Sequence, residues 1–571
     1  MSRTVRVGLC ALVLLLGGCA GRAHDTGAGT AAEGFDAGLT AVVNPSATPG
    51  GTLRLASAND VDSWDPARSY INAVYNLQRL YVRTLLTPAA EPGTTALVPD
   101  LAADQPDVSG DGLTYTFRLR DGVKFEDGTP IRAQDVKYGI ERLFAQDVLS
   151  GGPTYLIDRL DQGQHYAGPY RQGDGLRSVT TPDDRTIVFH LAEPFADFPY
   201  LLAMGVAAPV PQARDTGERY GDLPVASGPY RFDSIDPGRK VVWVRNGAWD
   251  ASTDPVRKAL PDRIELTIGT DPAEIDRQLF DGDLDADAGQ GGVQAATQAT
   301  VLLDAGLKAH ADQPTTGFVQ YAALSTKVAP FGDVHCRRAV QYAVDKAAVR
   351  TARGGGQIAG GMLPPGIPGH DEGLDPYLTK SGKPQPDKAR EELARCGKPD
   401  GFSTVIATTG SPRSLKTAEA VQAALAKVGI TARIDPSDPS LYARSVVGSP
   451  DNVHAKGYGI ILSAWSADFP TGSGFYPTLI DGRQILPSGN NNYAELDDPF
   501  INEQLDNART VADPVRAAGI WQQVDAEVMD NASMLPLLYD QVLNYRNPRL
   551  TNVFVNQYYG TWDATALGVS P

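Results

Sequence analysis

The stretch that most constrains the fold of this chain is FRLRDGVKFEDGTPIRAQDVKYGIER, which runs from Phe117 to Arg142. Its first half alternates apolar and charged residues, which predicts a strand with one buried face, broken by turns at Asp121-Gly122 and Asp127-Gly128. Its second half follows Pro130 and predicts a helix, because apolar residues recur there at helical spacing. These residues are Val136, Ile140, Leu143 and Phe144. So short a run of strand, turn and helix indicates a dense structural unit rather than a linker.

The same stretch resembles the signature of the family 5 extracellular solute-binding proteins, the receptor components of peptide-type ABC importers. That signature reads approximately F-x-L-R-x-G-V-x-F-x-D-G-x-P-L-T-A-x-D-V. The matching positions are Phe117, Leu119, Arg120, Gly122, Val123, Phe125, Asp127, Gly128, Pro130, Ala133, Asp135 and Val136. Arg132 stands where the family usually has Thr or Ser as the helix N-cap, and losing that cap should cost about 1 kcal/mol.

Further segments are similar to the same family along most of the chain. Pro224 to Phe232 (PVASGPYRF) resembles its G-T-G-P-Y-x-F segment, and RRAVQYAVDK, from Arg337 to Lys346, resembles one of its helices. The resemblance implies an α/β fold of the two-lobed periplasmic-binding-protein type (type II, cluster C). It also implies two crossover strands between the lobes and an extra subdomain in the first lobe.

Composition and pattern shifts divide the chain. Residues 20–50 are rich in Ala, Gly, Thr and Pro without any period, which indicates a flexible tether. Helix, Gly429 and strand follow one another between Ala418 and Ile434, an order typical of α/β folds. The predicted organisation is a signal peptide at 1–18, a tether at 19–50, a first lobe at 51–268 with a subdomain inserted at about 86–184, a second lobe at 269–534, and a return to the first lobe at 535–571.

The N-terminus has the pattern of a secretion signal. Arg3 and Arg6 precede an apolar run, Val7 to Leu16, that is too short to span a bilayer. The run ends in Leu16-Gly17-Gly18-Cys19, which resembles a bacterial lipobox and implies a lipid on Cys19. The alternative is an ordinary signal peptide with an incidental Cys. We expect a palmitate-bearing lipoprotein on the outer face of the cytoplasmic membrane, or in the periplasm if the cell has an outer membrane.

Charge and cysteines limit the partners and the compartment. The formal net charge of −17 argues against nucleic acid and anionic lipid as direct partners, so the lipid anchor is the expected membrane contact. Outside the predicted signal and lipobox, Cys336 and Cys396 form an even pair in an oxidising compartment. We predict a disulfide between them, with two buried free thiols as the alternative.

The sequence carries no recognisable catalytic motif. It lacks HExxH, CxxC, G-x-S-x-G and the GxxxxGK phosphate loop. The acidic run Asp281, Asp283, Asp285 and Asp287 suggests calcium, but an EF-hand loop needs Glu at position twelve, and Gly292 stands there. We therefore predict no enzyme activity, no cofactor and no metal, and keep a secreted hydrolase as the rival class.

The strongest candidate for a ligand site is SAWSADFP, from Ser463 to Pro470. It resembles the family motif G-W-x-A-D-Y-P, whose Asp pairs with the α-ammonium of a bound peptide. Carried over, Asp468 is the ligand's counter-ion and Trp465 a wall of the pocket. A fixed carboxylate in a dry cleft forms a charge-assisted hydrogen bond with an ammonium group. The alternative is that Asp468 caps a loop or pairs with a structural Arg.

Polar side chains elsewhere complete the predicted site. Asn491 and Tyr493 lie where the family often has an Asn-rich cleft segment, which makes them candidates for polar ligand contacts; turn structure is the alternative role. No residue stands out as the partner of a ligand carboxylate, and Arg413 and Arg483 are candidates only because they lie in loop-rich regions.

The resemblance implies a monomeric solute receptor that captures di- or oligopeptides between its lobes and delivers them to an ABC permease and its ATPases. Two alternatives remain. The same fold could bind an oligosaccharide, opine, metal chelate or siderophore, or the chain could be an exported hydrolase.

Overall fold

The computed structural model describes residues 33–570, and within it the opening motif folds largely as predicted. Thr114–Arg118 is a strand in which Phe117 is buried and Arg118 exposed. Ala133–Arg142 is a helix with the predicted apolar face in the core. The expected second strand around Val123 is reduced to an isolated bridge between Lys124 and Pro130. Arg132 gives the helix no side-chain cap, but its backbone N–H donates to the Asp135 carboxylate over 2.8 Å, half of a capping box.

The first lobe is built on a mixed five-stranded sheet. Thr52–Ser57 lies inside the sheet and runs parallel to both of its neighbours, whereas the remaining pairs are antiparallel. In spatial order the strands are Ala286–Asp287, Thr52–Ser57, Arg263–Ile268, Lys240–Arg245 and Tyr230–Asp236.

The predicted lobe boundary at Gly269 is too early. The helix Pro272–Asp281 follows Gly269 and leads to Ala286–Asp287, which pairs parallel with Thr52–Ser57 in the same sheet. A helix between parallel strands is a crossover, so this segment completes the first lobe instead of opening the second. Apolar residues as far as Ala311 pack in a cluster with Ala56, which extends the first lobe to that point.

The inserted subdomain has its own antiparallel four-stranded sheet and its own core. It is larger than the predicted range 86–184, because Thr186–His190 is a central strand and buried residues continue to Val225. The strand order is Asp107–Val108, Thr114–Arg118, Thr186–His190 and Val179–Asp183.

The second lobe contains a six-stranded mixed sheet with an apolar cluster on each face. The predicted helix–Gly429–strand unit is present as Ser403–Thr409, the helix Pro412–Ala426 and Thr431–Ser437, with Gly429 at φ 89°. The strand order is Gln357–Ile358, Met534–Gln541, Thr315–Leu324, Tyr458–Trp465, Ser403–Thr409 and Thr431–Ser437.

Helices cover both lobes. Those of the first lobe and its subdomain include Ala37–Thr40, Asn72–Gln78, Ala133–Arg142, Tyr155–Leu160, Phe198–Leu201, Pro272–Asp281, Ala295–Leu303 and Ala305–Ala309. Those of the second lobe include Val334–Ala343, Lys346–Arg353, Pro386–Arg395, Pro412–Ala426, Pro450–Lys456, Pro477–Ile480, Pro499–Thr510 and Pro514–Asn531. Within the described range, no helix combines the length and the apolar character needed to cross a membrane.

Two adjacent segments carry the chain between the lobes. Ala311–Asp312 pairs with Asn544–Tyr545, and just beyond them Thr315–Leu324 pairs with Met534–Gln541 in the second-lobe sheet. The return to the first lobe therefore starts after Gln541, and the predicted start at 535 is wrong because Met534–Gln541 is a strand inside the second-lobe sheet.

The predicted tether is also too long. Ala37–Thr40 is a helix, and Val43 forms a backbone bridge with Val553 of the returning segment. The Gly38 N–H donates to the buried carboxylate of Asp312 over 2.9 Å. These long-range hydrogen bonds hold in place residues that composition alone assigned to the flexible tether.

Candidate ligand-binding site

The site lies where a loop of the second lobe reaches the first. Strand Tyr458–Trp465 ends at Trp465, and the following residues lead to Phe469, which is only 2% exposed and packs in the apolar core of the first-lobe subdomain. Its ring centroid lies 5.8 Å from that of Tyr155 and 5.9 Å from that of Tyr200. The Thr471 hydroxyl donates to Asp197 over 2.9 Å. The two lobes are thus in direct contact at this loop.

Asp468 sits at the tip of this loop against tyrosines of the first lobe. Its Oδ2 atom accepts hydrogen bonds from the Tyr70 hydroxyl, at 2.9 Å, and from the Tyr155 hydroxyl. Across residues 33–570, no basic side chain forms an ion pair with it. Burial raises the pKa of Asp468 above its ordinary value, and the two tyrosine hydrogen bonds partly oppose that shift. Asp468 is therefore a largely buried carboxylate that lacks a cation.

A cleft between the lobes opens beside this loop. A cavity of about 250 Å³ is lined by Ala467 and Pro470 from the loop, by Thr316 and Gln541 near the crossover segments, and by Tyr558 from the first lobe. Thr316 and Gln541 also line a second cavity, of about 320 Å³. The shared residues show that the two cavities are neighbours, and we call them together the interlobe cleft.

The far part of this cleft has a basic character. Arg353 and Arg413 line the second cavity together with Asp540, facing the first-lobe segment 289–298. The Arg353 guanidinium is 3.7 Å from Asp540, and the Asp540 carboxylate also accepts from the Gln320 amide over 2.5 Å. Arg413 has no ion-pair partner in the part of the chain that the structure describes.

The two ends of the cleft therefore differ in charge. Two guanidinium groups and one carboxylate line the 320 Å³ cavity, and only Arg353 is paired with that carboxylate, which leaves one excess positive charge. Burial lowers the pKa of Arg353 and raises that of Asp540, as expected for charges withdrawn from water. Asp468, in the loop beside the 250 Å³ cavity, is a carboxylate without a basic partner among the described residues. This arrangement complements a molecule with a positive and a negative terminus.

The structure brings only some of the predicted site residues to the cleft. Asp468 belongs to the loop whose residues Ala467 and Pro470 line the 250 Å³ cavity, although its own side chain lines a small adjoining pocket of about 10 Å³, and Arg413 lines the 320 Å³ cavity. Trp465 packs against the second-lobe core, where its indole N–H donates to the Phe475 carbonyl over 3.0 Å. It is thus a support of the loop rather than an observed wall of the cleft.

Three other candidates, Asn491, Tyr493 and Arg483, have partners close by in the structure. The Tyr493 hydroxyl donates to the Asn491 side chain over 3.3 Å, and the Tyr493 N–H donates to the Asn491 carbonyl, as in a turn. Arg483 pairs with Asp481 and Asp506 at 2.9 and 2.6 Å. These contacts give all three residues local structural partners.

Sequence reasoning missed Tyr70, Tyr155 and Arg353. The two tyrosines lie 398 and 313 residues before Asp468, with no motif to single them out. Arg353 did have a signal, because Gly354, Gly355 and Gly356 follow it. All three glycines have positive φ, which lets the backbone turn tightly beside the cleft.

Cys336, Cys396 and the acidic residue Asp285 all have structural partners. Cys336 and Cys396 are joined in a disulfide with their Cα atoms 5.5 Å apart, whereas Cys19 lies outside the described residues. Asp285, from the acidic run, is buried and pairs with Arg54 at 3.2 Å. Among residues 33–570, no cluster of three or more His, Cys, Asp or Glu is arranged to hold a metal.

Comparison with known proteins places this chain in a family. Residues 96–485 match the family described as bacterial extracellular solute-binding proteins, family 5. Over 530 residues the chain is 26% identical to the probable D,D-dipeptide-binding periplasmic protein DdpA of Escherichia coli K12, covering 89% of this chain and 94% of that protein. It is 25% identical to heme-binding protein A of Haemophilus influenzae over 539 residues, covering 90% and 91% of the two chains.

A solved structure supports the same assignment. The clavulanic acid biosynthesis oligopeptide binding protein 2 is 46% identical, with a TM-score of 0.91, and the match covers 95% of this chain and 99% of that one. These relatives are named as binding proteins, and the α/β fold of this chain agrees with that of the solved structure. The chain belongs to the bacterial extracellular solute-binding proteins of family 5.

Proposed function

We propose that this chain is the lipid-anchored receptor of an ABC importer that captures di- or oligopeptides in the interlobe cleft and delivers them to a permease. The observation that carries the proposal is a charge difference between two neighbouring regions: Asp468, which has no basic partner among residues 33–570, lies in the loop that lines the 250 Å³ cavity, and Arg353 and Arg413 line the 320 Å³ cavity. A short peptide is a zwitterion of matching polarity. The two cavities, of about 250 and 320 Å³, are similar in size to the smaller ligand pockets of proteins, ~300 Å³.

The binding proposal predicts an affinity pattern for chemically capped peptides. Isothermal titration calorimetry would compare trialanine with its N-acetyl and C-amide derivatives. We expect Asp468→Asn to weaken binding of the free-amine peptide at least about tenfold, the scale of one charge-assisted hydrogen bond, and to leave the N-acetyl derivative unchanged. The exposed Asp451→Asn is the matched control. Equal affinity of wild type and Asp468→Asn for trialanine would refute the ammonium role.

The basic end is tested in the same way. Arg353→Met and Arg413→Met should weaken binding of the free carboxylate and spare the C-amide derivative, because the amide has no negative charge to pair. An equal loss for both derivatives would show that the arginines support the cleft without contacting a ligand carboxylate.

The ligand class requires an unbiased measurement. Native mass spectrometry of the purified protein should reveal a co-purified peptide. A peptide added to the protein should be recovered uncleaved. A different small molecule would favour the non-peptide alternative, which the relative named heme-binding protein A keeps open. Cleavage of an added peptide would favour the hydrolase.

Anchoring and delivery are separate parts of the proposal. Radiolabelled palmitate should be incorporated into the wild type and not into Cys19→Ala, which should be released from the membrane fraction. Cells that lack the gene should fail to take up the peptide found by mass spectrometry. Retained label in Cys19→Ala would refute this anchor without affecting the binding proposal.

A further inference from the structure

The segment that precedes the first strand is bonded to the crossover between the lobes. The Asp36 N–H donates to the Ala311 carbonyl over 3.0 Å, and the Asp36 carboxylate accepts from the Gln313 N–H over 2.7 Å. Asp36 therefore holds the outgoing crossover segment at two positions. On the returning segment, the Arg546 guanidinium donates to the Gly34 carbonyl over 2.8 Å. Both crossover segments are thus hydrogen-bonded to the same short stretch of chain.

Asp312, between the two residues held by Asp36, connects this stretch to the rest of the first lobe. Its buried carboxylate accepts from the Gly38 N–H over 2.9 Å, from the Arg546 guanidinium over 2.9 and 3.0 Å, and from the Trp562 indole N–H over 3.2 Å. A Cβ atom on Gly38 would lie 2.6 Å from Oδ2 of Asp312. Because several donors hold that carboxylate in place, so close an approach requires glycine.

The next residue, Leu39, lines the 250 Å³ cavity. Leu39 packs against the first-lobe core, whereas Pro365 and Ile367 line the same cavity from the second lobe. An apolar side chain in this position becomes more exposed when the lobes separate, so its burial favours the closed arrangement. The stretch then continues to Val43, whose backbone pairs with Val553 of the first lobe.

These bonds lie where movement of the lobes must be absorbed. The second-lobe strand Thr315–Leu324 starts just after Gln313, and Met534–Gln541 ends just before the returning crossover segment. Rotation of one lobe against the other requires φ and ψ to change in a few residues at such a junction. Hydrogen bonds to Ala311 and Gln313 restrain those residues and confine the bending to fewer positions.

We infer that residues 34–43 form a strap that restrains the crossover and closes one side of the interlobe cleft, so that the segment before the first strand helps to set ligand affinity. Asp36 and Gly38 are positioning residues in this strap, and Leu39 is part of the cleft wall. This role rests on the proposed function only in placing the ligand in the interlobe cleft.

Gly38→Val tests the strap in the full chain, because the added side chain meets Asp312 and displaces the segment. Gly110→Val is the matched control, since Gly110 is exposed and has open space where the side chain is added. In calorimetry with trialanine, Gly38→Val should bind at least about tenfold more weakly than the wild type, the scale of losing an apolar wall residue and a hydrogen bond to a charged group. Gly110→Val should bind like the wild type.

Leu39→Ala separates the cleft wall from the restraint of the crossover. It should weaken trialanine binding roughly fivefold, the scale of a half-buried leucine side chain, and leave hydrogen exchange of the Gln313 amide as in the wild type. Gly38→Val should make the Gln313 amide exchange faster, because its bond to Asp36 is lost. If Gly38→Val does not fold, Asp36→Gly makes the same test, since it removes the carboxylate and suits the positive φ of 62° at this position.

The outcomes separate the strap from the proposed function. If Gly38→Val lowers only the midpoint of thermal unfolding and binds trialanine like the wild type, the strap is purely structural and the inference is wrong. If the wild type itself does not bind trialanine, the proposed peptide ligand is wrong, and small-angle scattering of the ligand-free protein tests the strap instead. Gly38→Val should then have a larger radius of gyration than the wild type and Gly110→Val, and an equal radius would overturn the inference.

Discussion

Phe469→Ala should weaken ligand binding far more than it destabilises the fold. Phe469 belongs to the loop that follows a second-lobe strand, yet it is 2% exposed within the core of the first-lobe subdomain. Replacing a buried Phe by Ala costs about 3–5 kcal/mol, including the ring contacts with Tyr155 and Tyr200. That burial exists only while the lobes are in contact, so the cost falls on the closed state.

The effect on affinity follows from this linkage. If binding requires closure, a loss of about 3 kcal/mol from the closed state weakens binding roughly a hundredfold, since every 1.4 kcal/mol is a factor of ten. Calorimetry would give the affinity, and small-angle scattering would show a larger radius of gyration. The midpoint of thermal unfolding should change little, because each lobe keeps most of its own core.

Phe331→Ala is the matched control. Phe331 is fully buried within the second lobe, 5.4 Å from Phe402 between ring centroids, in a cluster made of second-lobe residues. Its truncation should lower the unfolding midpoint and leave the affinity of the folded protein unchanged. If Phe469→Ala binds the ligand as tightly as the wild type, or if both variants lose affinity equally, contact between the lobes through Phe469 does not support binding.

Three further predictions concern pH and the disulfide. Burial raises the pKa of Asp468, so affinity for an amine ligand should fall as the pH drops through a value above the pKa of an ordinary aspartate. Asp468→Asn should lose this pH dependence of affinity. If the variant and the wild type show the same dependence, the prediction is wrong. Burial lowers the pKa of Lys346 to about 7, so the unfolded chain binds more protons than the folded one between about pH 7 and 10, and stability should rise with pH there. Lys346→Met should flatten that rise in thermal unfolding, and an unaltered slope would disprove the assignment. Replacing both Cys336 and Cys396 by Ser should lower the free energy of unfolding by up to about 4 kcal/mol, because the disulfide closes a loop of 60 residues. Denaturant titration measures this change. An unchanged free energy of unfolding would show that the disulfide gives no net stabilisation.

Local patterns predicted individual elements well. The alternation at Phe117 and the helical spacing of Val136 and Ile140 were confirmed, because burial of one face repeats with the period of the element itself. The helix Pro514–Asn531 likewise starts at a local signal, Asp513-Pro514, where the Asp513 carboxylate accepts from the backbone N–H groups of Val515 and Arg516. A cap and a proline are signals within a few residues of the structure they start.

Boundaries between lobes were predicted poorly for the opposite reason. Gly269 looks like the end of a lobe, yet the strand Ala286–Asp287 returns to the sheet that Thr52–Ser57 began. Whether a strand joins an old sheet or starts a new one depends on residues far away in the sequence. The same holds for Met534–Gln541, whose apolar pattern is equally consistent with either lobe.

By itself, the sequence determined the family, through ordered motifs from Phe117 onward, and it identified Asp468 as a carboxylate beside an aromatic loop. Only the tertiary structure decided what surrounds that carboxylate, namely the hydroxyls of Tyr70 and Tyr155, and that Arg353 and Arg413 line a cavity nearby. The physical reason is that a binding site between two lobes is made of contacts between residues hundreds of positions apart. Such contacts leave no local period or motif in the chain.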